Sequence, residues 1–514
     1  MLIGHVSDES YQALPDVILE IETTVGSVAA RSRASGAIYA EVPPGPARVT
    51  LSKPGYGAKR VDIVVAEGQP FAFRLLSDRL LGYAWPKWAR GGESAEYRVH
   101  SPEPYKLGLW RYGEHREFVR SFGWHDEHGP RTTIQITPDG DYTQTGIHWN
   151  RQGYGLRWHQ QRVEAPSRSG LYFFEAKTAS GDFFSFPWIV EPESPQADIA
   201  VLTSNLTWTA VNNFGGRSNY VNQAGLPEQP TVNARQDLWR FTQPDTWPYQ
   251  ETAAPLSFDR PEPFNFVPEG AALTDPIEGR RAQPLAPGEW RLLGWLERQG
   301  FRYDLYSETS LHFGTLDLDQ YRVLILNNHP EYWSKEMYDR VKRWVFERGG
   351  RLMYLGGCAF YAEIEFVDDD TVLCRREGRR DLRQESAAKL LGIEYTHVGY
   401  KTAAPYRVLD DRHWVFADVG LKRGDRFGFE SLHEHCPGGA SGHELDKLSA
   451  DSPEHLHHLA KGENPDDTGA DLVCFETPSG GVVFAVGSLC WPLSLPVDAG
   501  TSKVTANVVE RLLR

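Results

Sequence analysis

Residues 327–333 read Asn-Asn-His-Pro-Glu-Tyr-Trp, directly behind the apolar run Val323-Leu324-Ile325-Leu326. An imidazole at 329 and a carboxylate at 331 therefore stand where a buried strand is expected to run out into a loop. Pro330 biases His329 toward extended backbone, and positions i and i+2 of an extended chain face the same side. One nitrogen and one oxygen then share one small object, a partial ligand set for zinc, iron or manganese. His-x-Glu alone is a weak signal. The competing reading is that both side chains help cap the next helix while Tyr332 and Trp333 pack on it. Ser334 is the expected N-cap of that helix, which places Glu331 near its positive end.

Cys358, in Tyr354-Leu-Gly-Gly-Cys-Ala-Phe-Tyr361, offers different chemistry. A cysteine at a sharp turn behind a strand, activated by a histidine, is a nucleophile. The glycines precede it but none follows two positions on, so the elbow is half present, and free cysteines are commonly small buried hydrophobes. His433, His435, Cys436 and His443, followed by His455, His457 and His458, invite a zinc reading. Their spacing fits no standard finger, and the Pro and Gly among them predict a solvated loop. The Gly-Gly pairs lack the spacing of phosphate-binding loops.

Placing these residues requires a sheet. Ile199–Leu202, residues 301–306, 321–328 and 351–357 read as strands, fully apolar rather than alternating. Between them lie a helix around Trp290–Gln299, ending at Gly300, and another from about Ser334. The latter carries Tyr338, Val341, Trp344 and Val345 on one face and stops at Gly349-Gly350. This alternation predicts a parallel sheet covered on both faces, a doubly wound flavodoxin-like α/β domain over 197–514 with ligands at the carboxyl ends of its strands. The end of it, Cys474–Ser488, reads as a hairpin. The stretch from about Gly225 to Pro287 is long enough for a site-covering loop. Two strand-rich blocks come first: 1–78, a small antiparallel β-sandwich, and 79–193, an Ig-like or jelly-roll-like sandwich. Aromatics of the second block (Trp110, Tyr112, Trp124, Trp149, Tyr154, Trp158) suit core packing or a domain interface better than a sugar-stacking platform.

The 514-residue chain exceeds one core, and its charge of −15 argues against nucleic acid or anionic membrane as a partner. No apolar stretch is long enough to span a bilayer and no secretory signal is visible at the N-terminus. Five cysteines, none in the first 357 residues, suit a reducing cytoplasm.

Residues 35–65, with a Pro-Pro-Gly turn and Lys-Pro-Gly-Tyr, resemble the transthyretin-like module found beside carboxypeptidase domains. A longer series of blocks is more specific: TWTAVNNFGGRSNY (207–220), SFDRP (257–261), LGWLERQGFRYDLY (293–306), HPEYWSKEMYDRV (329–341), YLGGCAFY (354–361), HWVFADVGLKRGDRFG (413–428), SGHELDK (441–447) and GSLCW (487–491). Together they resemble the large (β) subunit of N,N-dimethylformamidase and its relatives over about 197–514. The resemblance implies a class I glutamine amidotransferase-like fold and a mononuclear iron, with zinc as the other metal considered, held by a tyrosine, a histidine and a glutamate. His329 and Glu331 supply the last two. Val211 stands where the family's tyrosine is expected, which leaves Tyr220 or a residue of the 225–287 loop to supply the oxygen; Cys358 stands where an asparagine is usual. The implied reaction is hydrolysis of a small N-substituted amide, formamide to formate plus amine. A carboxylate must then shuttle a proton: Glu444 is the first choice and Glu476 the second. Asn212 and Asn213 are candidate amide-orienting donors. The family also implies a homo-oligomer with, in some members, a small accessory subunit. Two other classes compete: a Cys358 thiol amidohydrolase, and a non-catalytic binding or scaffold protein with a degenerate site.

Overall fold

The computed structural model describes residues 1–125, 135, 137–147, 161–232, 254–282, 285–374 and 385–514. Trp149, Tyr154, Trp158 and residues 233–253 of the long loop lie outside these. The protein is multidomain and mostly β, with several sheets and few helices.

At the N-terminus a four-stranded sheet (Gly26–Arg31, Ile18–Thr23, Gly45–Ser52, Lys59–Val65) and a three-stranded one (Ala37–Tyr39, Leu2–Ser7, Phe71–Arg74) enclose one apolar core containing Val6, Leu19, Val49 and Phe73. The sandwich is not wholly antiparallel: Leu2–Ser7 runs parallel to Phe71–Arg74, because the last strand returns beside the first from the opposite sheet. A second pair of sheets, of three and five strands, follows, with Tyr83, Tyr105, Phe174 and Trp188 in its core. Of the aromatics expected there, Tyr112 is buried, whereas Trp124 is exposed.

Beyond these lies a nine-stranded mixed sheet. Five neighbouring strands are parallel: Asp304–Tyr306, Ile199–Leu202, Val323–Asn328, Arg351–Gly356 and Val482–Ala485. Numbered by their place in the chain, their spatial order is 2-1-3-4-5. Alternate side chains enter different cores. Val201, Val323, Ile325 and Met353 face helices Ala286–Arg298 and Ala499–Leu513, while Leu202, Leu324, Leu326 and Leu352 face helix Lys335–Arg348. Both faces are covered, which is why these strands are apolar at every position. The hairpin of Asp471–Glu476 with Val482–Ala485 forms as expected. Helix Ala286–Arg298 starts earlier than expected because Pro287 lies in its first turn, where no N–H is required. Ser334 accepts the N–H of Met337, and Gly349 ends that helix in the left-handed region at φ 74°. Among the described residues no helix is long and apolar enough to cross a membrane, and all five cysteines are buried thiols outside any disulfide.

Candidate active site

Two neighbouring parallel strands end at the site. Val323–Asn328 leads into His329, and Arg351–Gly356 leads through Gly357 to Cys358. Both glycines permit close approach. A Cβ at 356 would lie 1.8 Å from the Asn328 carbonyl oxygen, and one at 357 would lie 2.6 Å from that of Glu444. The segment carrying Glu444 can therefore descend onto the strand ends. Of eleven described non-glycine residues with positive φ, four gather here: Asn328, Cys358, Phe360 and His443. Such backbone costs about 1 kcal/mol or more per residue and persists where its surroundings fix it. At Cys358, φ 57°, the fixing group is Asp446. Its carboxylate accepts the Cys358 N–H at 2.8 Å and the Tyr354 hydroxyl at 2.7 Å. Burial raises Asp446 to about 6, against those hydrogen bonds.

The His-Pro-Glu backbone is clamped by the start of helix Asn205–Val211. The Thr207 hydroxyl donates to the His329 carbonyl at 2.7 Å, and the Ser204 hydroxyl accepts the His329 N–H at 3.1 Å. Instead of the expected extended stretch there is a tight turn, with the Glu331 N–H donating to the His329 carbonyl at 2.8 Å, because these clamps fold the segment back on itself. The side chains converge nonetheless.

His329 Nε2 lies 3.3 Å from Glu331 Oε2 and 2.8 Å from Glu444 Oε2. One ligand atom each from His329, Glu331 and Cys358 falls within 4.8 Å of the others. Despite these separations, neither ring nitrogen of His329 nor Glu444 Oε2 has an aligned hydrogen-bond partner among the described residues. Polar atoms buried this deeply seldom go without one. An imidazole with both nitrogens unmatched, converging with a carboxylate and a sulfur, fits a shared cation. Burial pushes the Glu444 carboxyl up, but the adjoining His329, with His443 and a hydrogen bond from Cys358, outweighs it and holds Glu444 down at about 2.

Tyr220 donates to both oxygens of Glu331, at 3.0 and 3.1 Å. Tyr332 in turn donates to the Tyr220 hydroxyl at 3.1 Å, and Asn219 to that of Tyr332 at 2.8 Å. This chain of donors ends on the carboxylate. Val211, the last residue of its helix, is buried in an apolar cluster and offers no ligand atom.

Two expected site residues lie elsewhere. Asn212 donates to the Pro261 carbonyl at 2.8 Å and accepts the Phe214 N–H at 3.1 Å, so its amide is spent on holding its own loop. Glu476 is exposed and pairs with Val482, at the start of the final parallel strand. Its strand runs antiparallel, which carries it to the opposite end of the strands from the site. The histidine-rich stretch is also corrected: His433, Cys436 and His443 are buried, not solvated, and their ligand atoms fall within 4.8 Å of one another. His435 remains exposed. Burial lowers His433 to about 4 and His443 to about 3. Sequence reasoning missed Asp446, although the Glu444-x-Asp446 alternation was a usable signal for two acids facing one place. It also missed Tyr332, which it took only for packing.

A buried histidine–carboxylate site at the carboxyl end of a parallel sheet defines the class. Residues 116–504 match the family model described as N,N-dimethylformamidase beta subunit-like, C-terminal. The chain belongs to this family, and the match begins well before residue 197. It is 26% identical over 286 residues to the N,N-dimethylformamidase beta subunit of an Alcaligenes species, covering 44% of this chain and 37% of that protein. The beta subunit from Paracoccus aminophilus matches with the same identity and coverage. The chain thus spans little more than a third of these relatives' length. Among solved structures, the Bacillus anthracis TIE protein aligns at 12% identity over 37% of this chain and 31% of its own, with a TM-score of 0.13, too low to bear on the fold.

Proposed function

We propose that this chain is an amidohydrolase that cleaves a small N-substituted amide, as the name of its relatives suggests, with a transition-metal cation held by His329 and Glu331. The observation carrying this reading is the convergence of His329, Glu331 and Glu444 with His329's nitrogens left unmatched. Iron is the metal the family resemblance implies. Bound there, a Lewis-acidic cation would polarise an amide carbonyl and make hydroxide available near neutral pH.

The remaining chemistry belongs to the protein. Glu444, 2.8 Å from His329, is the carboxylate that accepts the proton of the attacking water and returns it to the departing amine. Tyr220 holds both oxygens of Glu331 and so orients that carboxylate; we give it this role rather than that of a ligand. The 2-1-3-4-5 order of the parallel strands supports a flavodoxin-like reading of the domain, with the site where such sheets bind ligands. We extend to this chain the assembly that the relatives' subunit name suggests, as a homo-oligomer with or without a small accessory subunit.

The left-handed Cys358 behind its strand favours a second reading, a thiol amidohydrolase. The two separate cleanly. Hydrolysis of N,N-dimethylformamide and other small N-substituted amides by the purified chain is expected to stop on chelation and to return with metal. Activity that survives chelation but not Cys358→Ala would instead establish the thiol enzyme. A chain with neither metal nor activity would be a binding protein.

A further inference from the structure

We infer that Cys358 is itself a ligand of this cation, so that the chain holds it through a histidine, a glutamate and a cysteine. The inference rests on the reading that His329 and Glu331 grip a metal, and it adds the third ligand.

Three observations point the same way. Val211 removes the expected tyrosine oxygen, and Tyr220 is engaged with both oxygens of Glu331. The Cys358 sulfur shares a 4.8 Å cluster with the donor atoms of His329 and Glu331, all three buried. The backbone that puts it there is left-handed and is fixed by the Asp446 carboxylate on the Cys358 N–H. An ordinary core cysteine needs no such provision. The surroundings of His329 and of the thiol are also carboxylate-rich. His329 is held between Glu331 and Glu444, and the thiol hydrogen bond goes to Glu444.

The donor set bears on the metal: imidazole and thiolate suit a transition metal, and soft sulfur discriminates against the hard cations that oxygen-only sites prefer. On binding, the S–H bond breaks, the proton passes to Glu444 and then to solvent, and the sulfur–metal bond forms with no change in oxidation state.

The test uses the full chain stripped of metal and reloaded with Co²⁺, followed by absorption. The wild type is expected to show an intense near-ultraviolet sulfur-to-cobalt charge-transfer band beside the weaker visible bands. Cys358→Ser is expected to lose the former and keep the latter, while Cys436→Ser and Cys490→Ser keep both. X-ray absorption of the zinc-loaded wild type needs no variant and is expected to place one sulfur at about 2.3 Å. Visible bands without the charge-transfer band, and no sulfur neighbour, would overturn the cysteine ligand while leaving the His329–Glu331 site standing. Failure to bind cobalt or zinc at all would overturn both. A charge-transfer band that vanishes with Cys436→Ser rather than Cys358→Ser would move the thiolate to the other cluster and also defeat the inference.

Discussion

Two buried clusters in this molecule draw on nearly the same side chains. One has His329, Glu331 and Cys358; the other has His433, Cys436 and His443. They differ in what their donor atoms already do. In the second cluster, His433 Nδ1 accepts the backbone N–H groups of His435 and Cys436, both at 3.2 Å. That fixes its proton on Nε2, the nitrogen a metal would need bare. The Cys436 thiol is directed at the Lys401 carbonyl at 3.8 Å, and the two imidazoles stack with centroids 5.1 Å apart. Those side chains hold a loop together. In the first cluster, both ring nitrogens of His329 lack a hydrogen-bond partner among the described residues while carboxylates crowd one of them. Composition alone does not make a metal site; what separates the two is whether the lone pairs are already spent.

Substitutions can break this contrast. The largest effect is expected from His329→Ala: metal content, measured by elemental analysis, drops from about one ion per chain to none, and amide hydrolysis disappears with it. His433→Ala should leave metal content unchanged, and loss of metal there would reverse the roles of the clusters. Next comes Glu444→Gln, which removes the proton acceptor and keeps the cation. Turnover is expected to fall about 10²–10⁴-fold at full metal occupancy.

A third effect is confined to the second cluster and to acid. The pKa of His433 is lowered from 6.5 to about 4 by burial, with His435 adding to it. Between those values the unfolded chain takes up a proton that the folded chain refuses. Stability from this residue is therefore present above pH 6.5 and is lost as pH falls toward 4, by about 3 kcal/mol. Denaturant titrations across that range should show His433→Asn losing this share of the slope. The smallest expected effect is that of Tyr220→Phe, about 10–100-fold in metal affinity if the phenol only orients Glu331. A loss as complete as that of His329→Ala would make Tyr220 a ligand and restore the family's oxygen-rich pattern.

Several features were legible without coordinates. The unbroken apolar strands are readable because a sheet covered on both faces leaves no polar position, and alternate residues of Val323–Asn328 do enter separate cores. Ser334 and Gly349 mark their helix because cap chemistry is local. His329 and Glu331 were legible as a pair because only one residue, Pro330, stands between them. Glu444 was chosen from its glycine-rich turn, and it lies 2.8 Å from His329 although 115 residues separate the two numbers.

What the chain alone determined is thus local or periodic: strand and helix type, caps, and the pairing of neighbours such as 329 and 331. Tertiary structure decided the rest. It sent Glu476 to the far end of the strands through the antiparallel sense of one strand, spent the Asn212 amide on its own loop, and buried His433, Cys436 and His443 of a segment that reads as solvent-exposed. It also sets the two clusters apart, because which N–H groups reach a ring nitrogen is decided by backbone positioned by the whole fold.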